Sequence, residues 1–122
     1  MITSKWFTEK EFNNLTPSCS LQDMEQKTMD KLDAARDIAD IPFVLTCAYR
    51  SSQWDKSKGR SGTGAHTLNP CPTVDIRCNT DANRWKIVNA LIKAGFKRIG
   101  IAKSFVHADD SKKHSQEVIW LY

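Results

Sequence analysis

The chain has 122 residues, of which 40% are hydrophobic and 26% are charged, and its formal net charge is +4. This length and composition predict one folded domain over residues 1–122 and exclude a mainly disordered or low-complexity chain. The positive charges are scattered, whereas a nucleic-acid-binding protein usually has a continuous basic surface with aromatic residues set into it. We therefore expect no nucleic-acid partner, and a DNA-binding protein is the weakest alternative.

The sequence also bears on where the protein acts. It has no apolar stretch near the roughly 20 residues that a membrane-spanning helix needs, and residues 1–6 lack the apolar core of a secretory signal. We expect a monomer without a membrane partner that is made in the cytoplasm. If it acts outside the cell, another factor must deliver it.

The first part of the chain predicts two helices and a strand. Thr8 and Glu11 have the form of a capping box and predict a short helical turn. Ser20–Asp23 has the same form before a longer helix that ends at Pro42, and Phe43–Tyr49 is typical of a buried strand. The apolar positions of the longer helix recur at helical spacing and predict a core face: Leu21, Met24, Thr28, Leu32, Ala35 and Ala39, widened by Met29 and Ile38.

The second part predicts a polar loop over residues 51–65, a strand at Thr73–Cys78 and a helix capped by Thr80 and terminated by Gly95. The predicted apolar face of that helix is Trp85, Val88, Leu91 and Ile92. Three short strands follow, over residues 96–101, 105–109 and 118–121. This order predicts an α+β fold with a mainly antiparallel sheet and flanking helices.

The four cysteines do not suggest a disulfide framework or a structural zinc site. Cys19, Cys47, Cys71 and Cys78 form no CxxC pair, and the chain is long enough to fold without bridges. We predict that they are free thiols, that neither Cys19 nor Cys47 is a metal ligand, and we leave open a local bridge between Cys71 and Cys78.

Three residues predict a metal site when they are taken together. His66 follows a Gly-rich loop, Asp75 lies in a predicted strand, and His107 lies in a later one. Two imidazole nitrogens and one carboxylate oxygen are the ligands that a catalytic zinc takes, with a fourth position for water. Each residue alone has an ordinary structural explanation.

The segments around these residues occur in a characteristic order: Leu45–Ser51, Gly64–His66, Val74–Ile76, Gly95–Ile101 and Ser104–Asp109. The sequence resembles the zinc D-alanyl-D-alanine carboxypeptidase family, which includes murein endopeptidases and phage endolysins. The resemblance runs from about residue 43 to residue 109. It implies a hedgehog/D-Ala-D-Ala peptidase-type fold and a zinc-dependent hydrolase that cuts peptide bonds of peptidoglycan.

The resemblance also implies roles for single residues. His66, Asp75 and His107 would bind Zn²⁺, and Arg50 would hold a substrate carboxylate or the developing oxyanion, since a guanidinium presents a planar fork to paired oxygens. The residues expected to contact substrate are Arg50, Ser51 and Trp120. The implied setting is a phage lysis gene or a wall hydrolase carried by a phage particle.

Two departures from the family pattern lie near the first ligand. The family usually has Ser two residues before the first His, where this chain has Gly64. It also spaces His and Asp by seven positions with a Gly between them, whereas His66 and Asp75 are nine apart with no Gly between them. This longer loop supports the alternative of a non-catalytic wall-binding or phage structural module on the same fold.

The general base is a third departure. Many relatives have an acidic residue three positions before the last His, where this chain has Ser104. Asp109 is the predicted catalytic residue, as general base, because side chains two apart on a strand share a face, which places it beside His107. The alternative is that Asp109 only orients His107.

Overall fold

The structure, a computed structural model, describes all of residues 1–122. The four helices are α1 (Glu9–Asn13), α2 (Gln26–Ala39), α3 (Ser52–Ser57) and α4 (Asp81–Ala94). The five strands are β1 (Leu45–Cys47), β2 (Thr73–Arg77), β3 (Arg98–Ile101), β4 (Phe105–Asp109) and β5 (Val118–Leu121). Short 3₁₀ turns lie at Leu21–Asp23 and Ala65–Thr67. The predicted α+β fold is confirmed.

The strands form one sheet in the order β1-β2-β4-β3-β5, with every pair antiparallel except β3 and β5. Because side chains alternate across a strand, each strand gives one set of residues to each face. Val74, Ile76, Val106 and Ala108 are fully buried under the helices. The alternate positions on β2 and β4, which include Asp75 and His107, belong to the opposite face.

Helices α2 and α4 pack against each other over the apolar face of the sheet. Thr80 caps α4 by accepting a hydrogen bond from the Asn83 amide, and Gly95 ends the helix at a positive φ of 104°. Both predicted ends of α4 are therefore confirmed.

The predicted apolar face of α4 is wrong in part. Trp85 is 68% exposed and Ile92 is 52% exposed, whereas Ile87, Ala90 and Leu91 are buried. Apolar residues cover a wide arc of this helix, and contacts with α2 and the sheet select which part of the arc is buried. The local sequence pattern does not contain that information.

The start of α2 also differs from the prediction. Instead of one helix from Ser20, a 3₁₀ turn ends at Asp23, and Met24 forms an isolated bridge with Cys71. The Cys71 amide donates to the Asp23 carbonyl at 2.8 Å, and the Glu25 amide donates to the Cys71 carbonyl at 2.9 Å. These bonds compete with helix formation, and they fix the loop that separates the two predicted ligands His66 and Asp75.

Three other outcomes concern local structure. Helix α3 occupies part of the predicted polar loop, and β1 and β3 are shorter than predicted, whereas β4 and β5 match their predicted ranges. Cys19, Cys47, Cys71 and Cys78 are all free and buried. No helix has the length and apolar character needed to cross a lipid bilayer.

Candidate metal centre

The three predicted ligands come together on the face of the sheet opposite α2 and α4. Asp75 on β2 lies directly opposite His107 on β4 in the antiparallel register. His66 reaches them from the 3₁₀ turn at Ala65–Thr67. All three are buried, with 8%, 5% and 5% of the surface of Asp75, His107 and His66 exposed. The fold therefore supports the predicted constellation.

One carboxylate oxygen lies between the two imidazoles. Asp75 Oδ1 is 2.9 Å from His107 Nδ1 and 3.3 Å from His66 Nε2. The two rings are arranged edge to face, with centroids 5.1 Å apart. A carboxylate and two imidazoles at this separation need only small side-chain adjustments to surround one ion.

The outer nitrogen of each imidazole has its own acceptor. His66 Nδ1 faces the Ala48 carbonyl oxygen, and His107 Nε2 lies 2.7 Å from Asp109 Oδ2. A carbonyl oxygen and a carboxylate can only accept, so the outer nitrogens, His66 Nδ1 and His107 Nε2, carry the ring hydrogens. In a neutral ring the inner nitrogen then presents a lone pair. Three electron-donating atoms then converge at Asp75, and a cation or additional protons must lie there. These are the ligand atoms of a zinc site, in which each imidazole is oriented by a hydrogen bond from its other ring nitrogen.

The pKa shifts agree with this account. Burial alone lowers the pKa of His66, but its hydrogen bonds to Asp75 and Cys47 outweigh burial and raise that pKa to about 9. Burial raises the pKa of Asp75, but the hydrogen bonds from His107 and His66 hold it well below its usual range. Without a metal, protons therefore neutralise the same atoms that would bind the cation.

Cys47 adds a sulfur beside the site. It pairs with Asp75 across β1 and β2, and its Sγ lies 3.9 Å from His66 Nδ1. Potential ligand atoms of Cys47, His66 and Asp75 all lie within 4.8 Å of one another, so these residues form a second possible ligand set. From the sequence we predicted that Cys47 is not a metal ligand, and its position here makes it a possible one. The register of β1 against β2 would have been needed to place it.

Arg50 is held next to the metal centre. Its amide donates to the His66 carbonyl at 3.0 Å, and Nη1 donates to Cys47 Sγ at 3.4 Å. Nε lies 2.8 Å from Asp55 Oδ1, an ion pair whose geometry is poor for a hydrogen bond. Only 15% of the Arg50 side chain is exposed. Asp55, on the unpredicted helix α3, therefore fixes the predicted substrate-binding cation.

The surroundings of Asp109 bear on both of its predicted roles, general base and orienting residue, and both stay predictions. Asp109 shares a face with His107 but is fully buried. Its carboxylate accepts from His107, from Arg98 Nε at 2.7 Å and from the Ser111 amide at 3.0 Å. Burial alone raises the pKa of Asp109, but these partners lower it. A buried carboxylate with these three partners is typical of a residue that orients a ligand histidine.

The other two predicted substrate contacts differ. Ser51 Oγ accepts a hydrogen bond from the Trp54 amide at 3.0 Å and caps α3, so a local structural role explains this residue. The Trp120 ring lies at the site, with its centroid 5.2 Å from that of His107 and 4.9 Å from the Arg98 guanidinium carbon. The structure brings Trp120 to the metal centre and leaves Ser51 occupied elsewhere.

A scan against family models matches residues 5–109 to the family described as Peptidase M15. The match covers most of the chain, and the chain therefore belongs to this family of zinc-dependent metallopeptidases. A search of curated proteins found no match, and a search of solved structures found none either.

Proposed function

We propose that this metallopeptidase cleaves peptide bonds in the stem peptides of bacterial peptidoglycan, as a carboxypeptidase or an endopeptidase. The observation that carries the proposal is the convergence of His66, Asp75 and His107 on one point, with the outer nitrogens of both imidazoles already bonded. Peptidoglycan is proposed from the family resemblance and from a cationic residue beside the metal centre.

The residues have separable tasks in the proposed reaction. His66, Asp75 and His107 would hold Zn²⁺, which, when bound, lowers the pKa of a water and polarises the peptide carbonyl. Asp109 keeps the hydrogen of His107 on Nε2, so that Nδ1 stays free as a ligand. The guanidinium of Arg50 would hold a substrate carboxylate or share the charge of the tetrahedral intermediate.

Metal content and turnover test the proposal together. The purified protein should bind one zinc and release peptide fragments from purified murein, and a chelator should abolish that release. Mass spectrometry of the fragments identifies the bond and separates a carboxypeptidase from an endopeptidase. Fragment release that persists in the chelated protein would contradict the metal-dependent mechanism.

The chain offers a matched control for its ligand histidines. His66→Ala and His107→Ala should each lose zinc and turnover. His114 bonds through Nδ1 to Ser111 Oγ at 2.7 Å and is not one of the converging ligands, so His114→Ala should keep both. Equal zinc loss in all three variants would contradict the assigned site.

A second candidate function has one observation in its favour. Ser104 stands where many relatives have an acid, and Asp109 is occupied by Arg98 and Ser111. A metal-binding protein without an available base fits a wall-binding or phage structural module. Such a protein would bind zinc and sediment with purified murein but release no fragments. In either case we propose that it reaches the wall after release from the cell or as part of a phage particle.

A further inference from the structure

Aromatic side chains continue the functional face of the sheet on one side of the metal centre. Trp120 lies beside His107, and Tyr122, two residues further along, keeps the β-register because its amide donates to the Ile101 carbonyl at 3.1 Å. The Tyr122 ring centroid lies 6.4 Å from that of Trp120 and 5.0 Å from that of Phe105. Phe105 precedes His107 by two positions on β4, so all three aromatic residues share the face of His107.

Gly100 makes this arrangement possible. It pairs with His107 on one side and with Trp120 on the other. A Cβ at this position would lie 2.6 Å from Trp120 Nε1 and 2.8 Å from Tyr122 Cε2. Because Gly100 has no side chain, both rings occupy the space above β3 and extend the surface that begins at the metal centre.

Tyr122 is the solvent-exposed member of this group. It is 66% exposed, in contrast to the buried ligand His107. Burial of part of the ring raises the pKa of the Tyr122 phenol, and the negative charge of Asp75 adds to that rise while Arg50 opposes it. The phenol is thus neutral at ordinary pH and lies within the electrostatic influence of the site. A neutral exposed ring beside a reaction centre offers apolar contact area at a small cost in side-chain entropy.

We propose that Phe105, Trp120 and Tyr122 form an aromatic subsite and that the Tyr122 ring packs against an apolar side chain of the bound peptide. The inference rests on the proposed function, since it takes the substrate to be a peptide with small apolar residues. The inference also places the substrate: the peptide residue next to the cleaved bond lies over β3 and β5. Tyr122 therefore contacts the substrate and takes no part in the chemical step.

The test measures binding without turnover. Calorimetry with a soluble peptidoglycan stem pentapeptide and chelated, metal-free protein gives the dissociation constant. Tyr122→Ala should weaken binding about five- to tenfold because a large apolar contact is lost. Tyr122→Phe should keep nearly the affinity of the parent protein because the ring remains. Leu121→Ala is the matched control, since Leu121 is 79% exposed on the opposite face of β5, and it should bind like the parent.

Each contrary result has a clear meaning. Unchanged affinity in Tyr122→Ala would overturn the subsite, and so would an equal loss in Leu121→Ala. A Tyr122→Phe variant as weak as Tyr122→Ala would overturn the ring contact, because the hydroxyl would then carry the binding. If the parent protein bound no stem peptide in either metal state, both the proposed substrate class and this subsite would fail. If the parent protein bound the stem peptide and Tyr122→Ala bound it equally well, the subsite would fail and the proposed function would stand.

Discussion

Ala48 and Asp109 decide which imidazole nitrogen of each histidine is available to a metal. Each accepts from an outer nitrogen and so holds one ring hydrogen there, which leaves the inner nitrogen of the neutral ring to bind a metal. The two acceptors differ in kind: one is a peptide carbonyl, and the other is a buried carboxylate that also neutralises Arg98. A substitution at position 109 therefore disturbs both the His107 tautomer and a buried cation.

Asp109→Asn separates the two roles predicted for this residue. If Asp109 only orients His107, the variant should bind zinc about 10–100-fold more weakly, and its turnover should recover as zinc is added. If Asp109 is the general base, the variant should lose turnover by roughly 10²–10⁴-fold, and added zinc should not restore it. Activity measured against zinc concentration distinguishes the two, and the structure predicts recovery.

The neighbouring carboxylate provides the control for that experiment. Asp110 is also buried, but its ion-pair partners are Lys31 at 2.9 Å and Lys112 at 3.2 Å, and it forms no ion pair with a histidine. Asp110→Asn removes the same charge without changing the orientation of His107. A zinc-affinity loss as large as that of Asp109→Asn would show that charge alone, and not orientation, is responsible.

Because His66 titrates, the stability of the metal-free protein and its affinity for zinc should change in opposite directions with pH. The pKa of His66 in the metal-free fold is raised from 6.5 to about 9, so the protonated ring stabilises that fold fully below pH ~6.5 and loses the effect as pH rises through about 9. Urea unfolding of chelated protein should show this decline, and His66→Gln should flatten it. Zinc affinity should instead rise over the same range because zinc replaces protons. If the stability of chelated His66→Gln declined with pH as much as that of the parent, the decline would belong to another titrating group.

At the scale of elements, the sheet register places most of the site in one row. Asp75, His107, Gly100 and Trp120 lie opposite one another on β2, β4, β3 and β5. Three of them contribute side chains to the site, and the glycine makes room for the fourth strand to reach it. The edge strand β5 thereby becomes part of the functional face.

Gly100→Ala tests this role of the glycine. The added methyl group meets Trp120 and Tyr122 at less than 3 Å, so both rings must move and the variant should lose about 1–3 kcal/mol of unfolding free energy. Chemical denaturation measures the loss, and near-ultraviolet circular dichroism reports the aromatic packing. Gly64→Ala is the control, because nothing lies within 4 Å of its added methyl group. If Gly100→Ala were as stable as Gly64→Ala, the rings would not depend on this gap.

For the whole molecule, the sequence predicted what local chemistry determines. β4 and β5 have their predicted bounds, and Thr80 and Gly95 end α4 through interactions within a few residues. The exposed face at Trp85 and the position of Cys47 beside Asp75 depend on contacts between distant segments. Helix α3 was missed because a short, polar, serine-capped segment has no apolar periodicity to distinguish it from a loop.

The surroundings of Asp109 depend on distant segments in the same way. The strand period correctly placed its side chain on the face of His107. Whether a carboxylate there is free or occupied depends on Arg98, on another strand, and on the Ser111 amide beyond the end of β4. A face can be predicted from sequence, whereas the complete set of hydrogen-bond partners requires the fold.

Bound zinc should raise the stability of the whole chain. Three buried electron-donating groups from separate segments meet at one point, and a bound cation would replace the protons there and tie together β2, β4 and the turn that carries His66. Zinc should therefore stabilise the native state by about 2.7 kcal/mol at a free concentration one hundred times its dissociation constant. Thermal melts should show a transition temperature that rises with the logarithm of free zinc in the parent protein and in His114→Ala, but stays constant in His107→Ala. An equal rise in His107→Ala would place the stabilising zinc outside the assigned site.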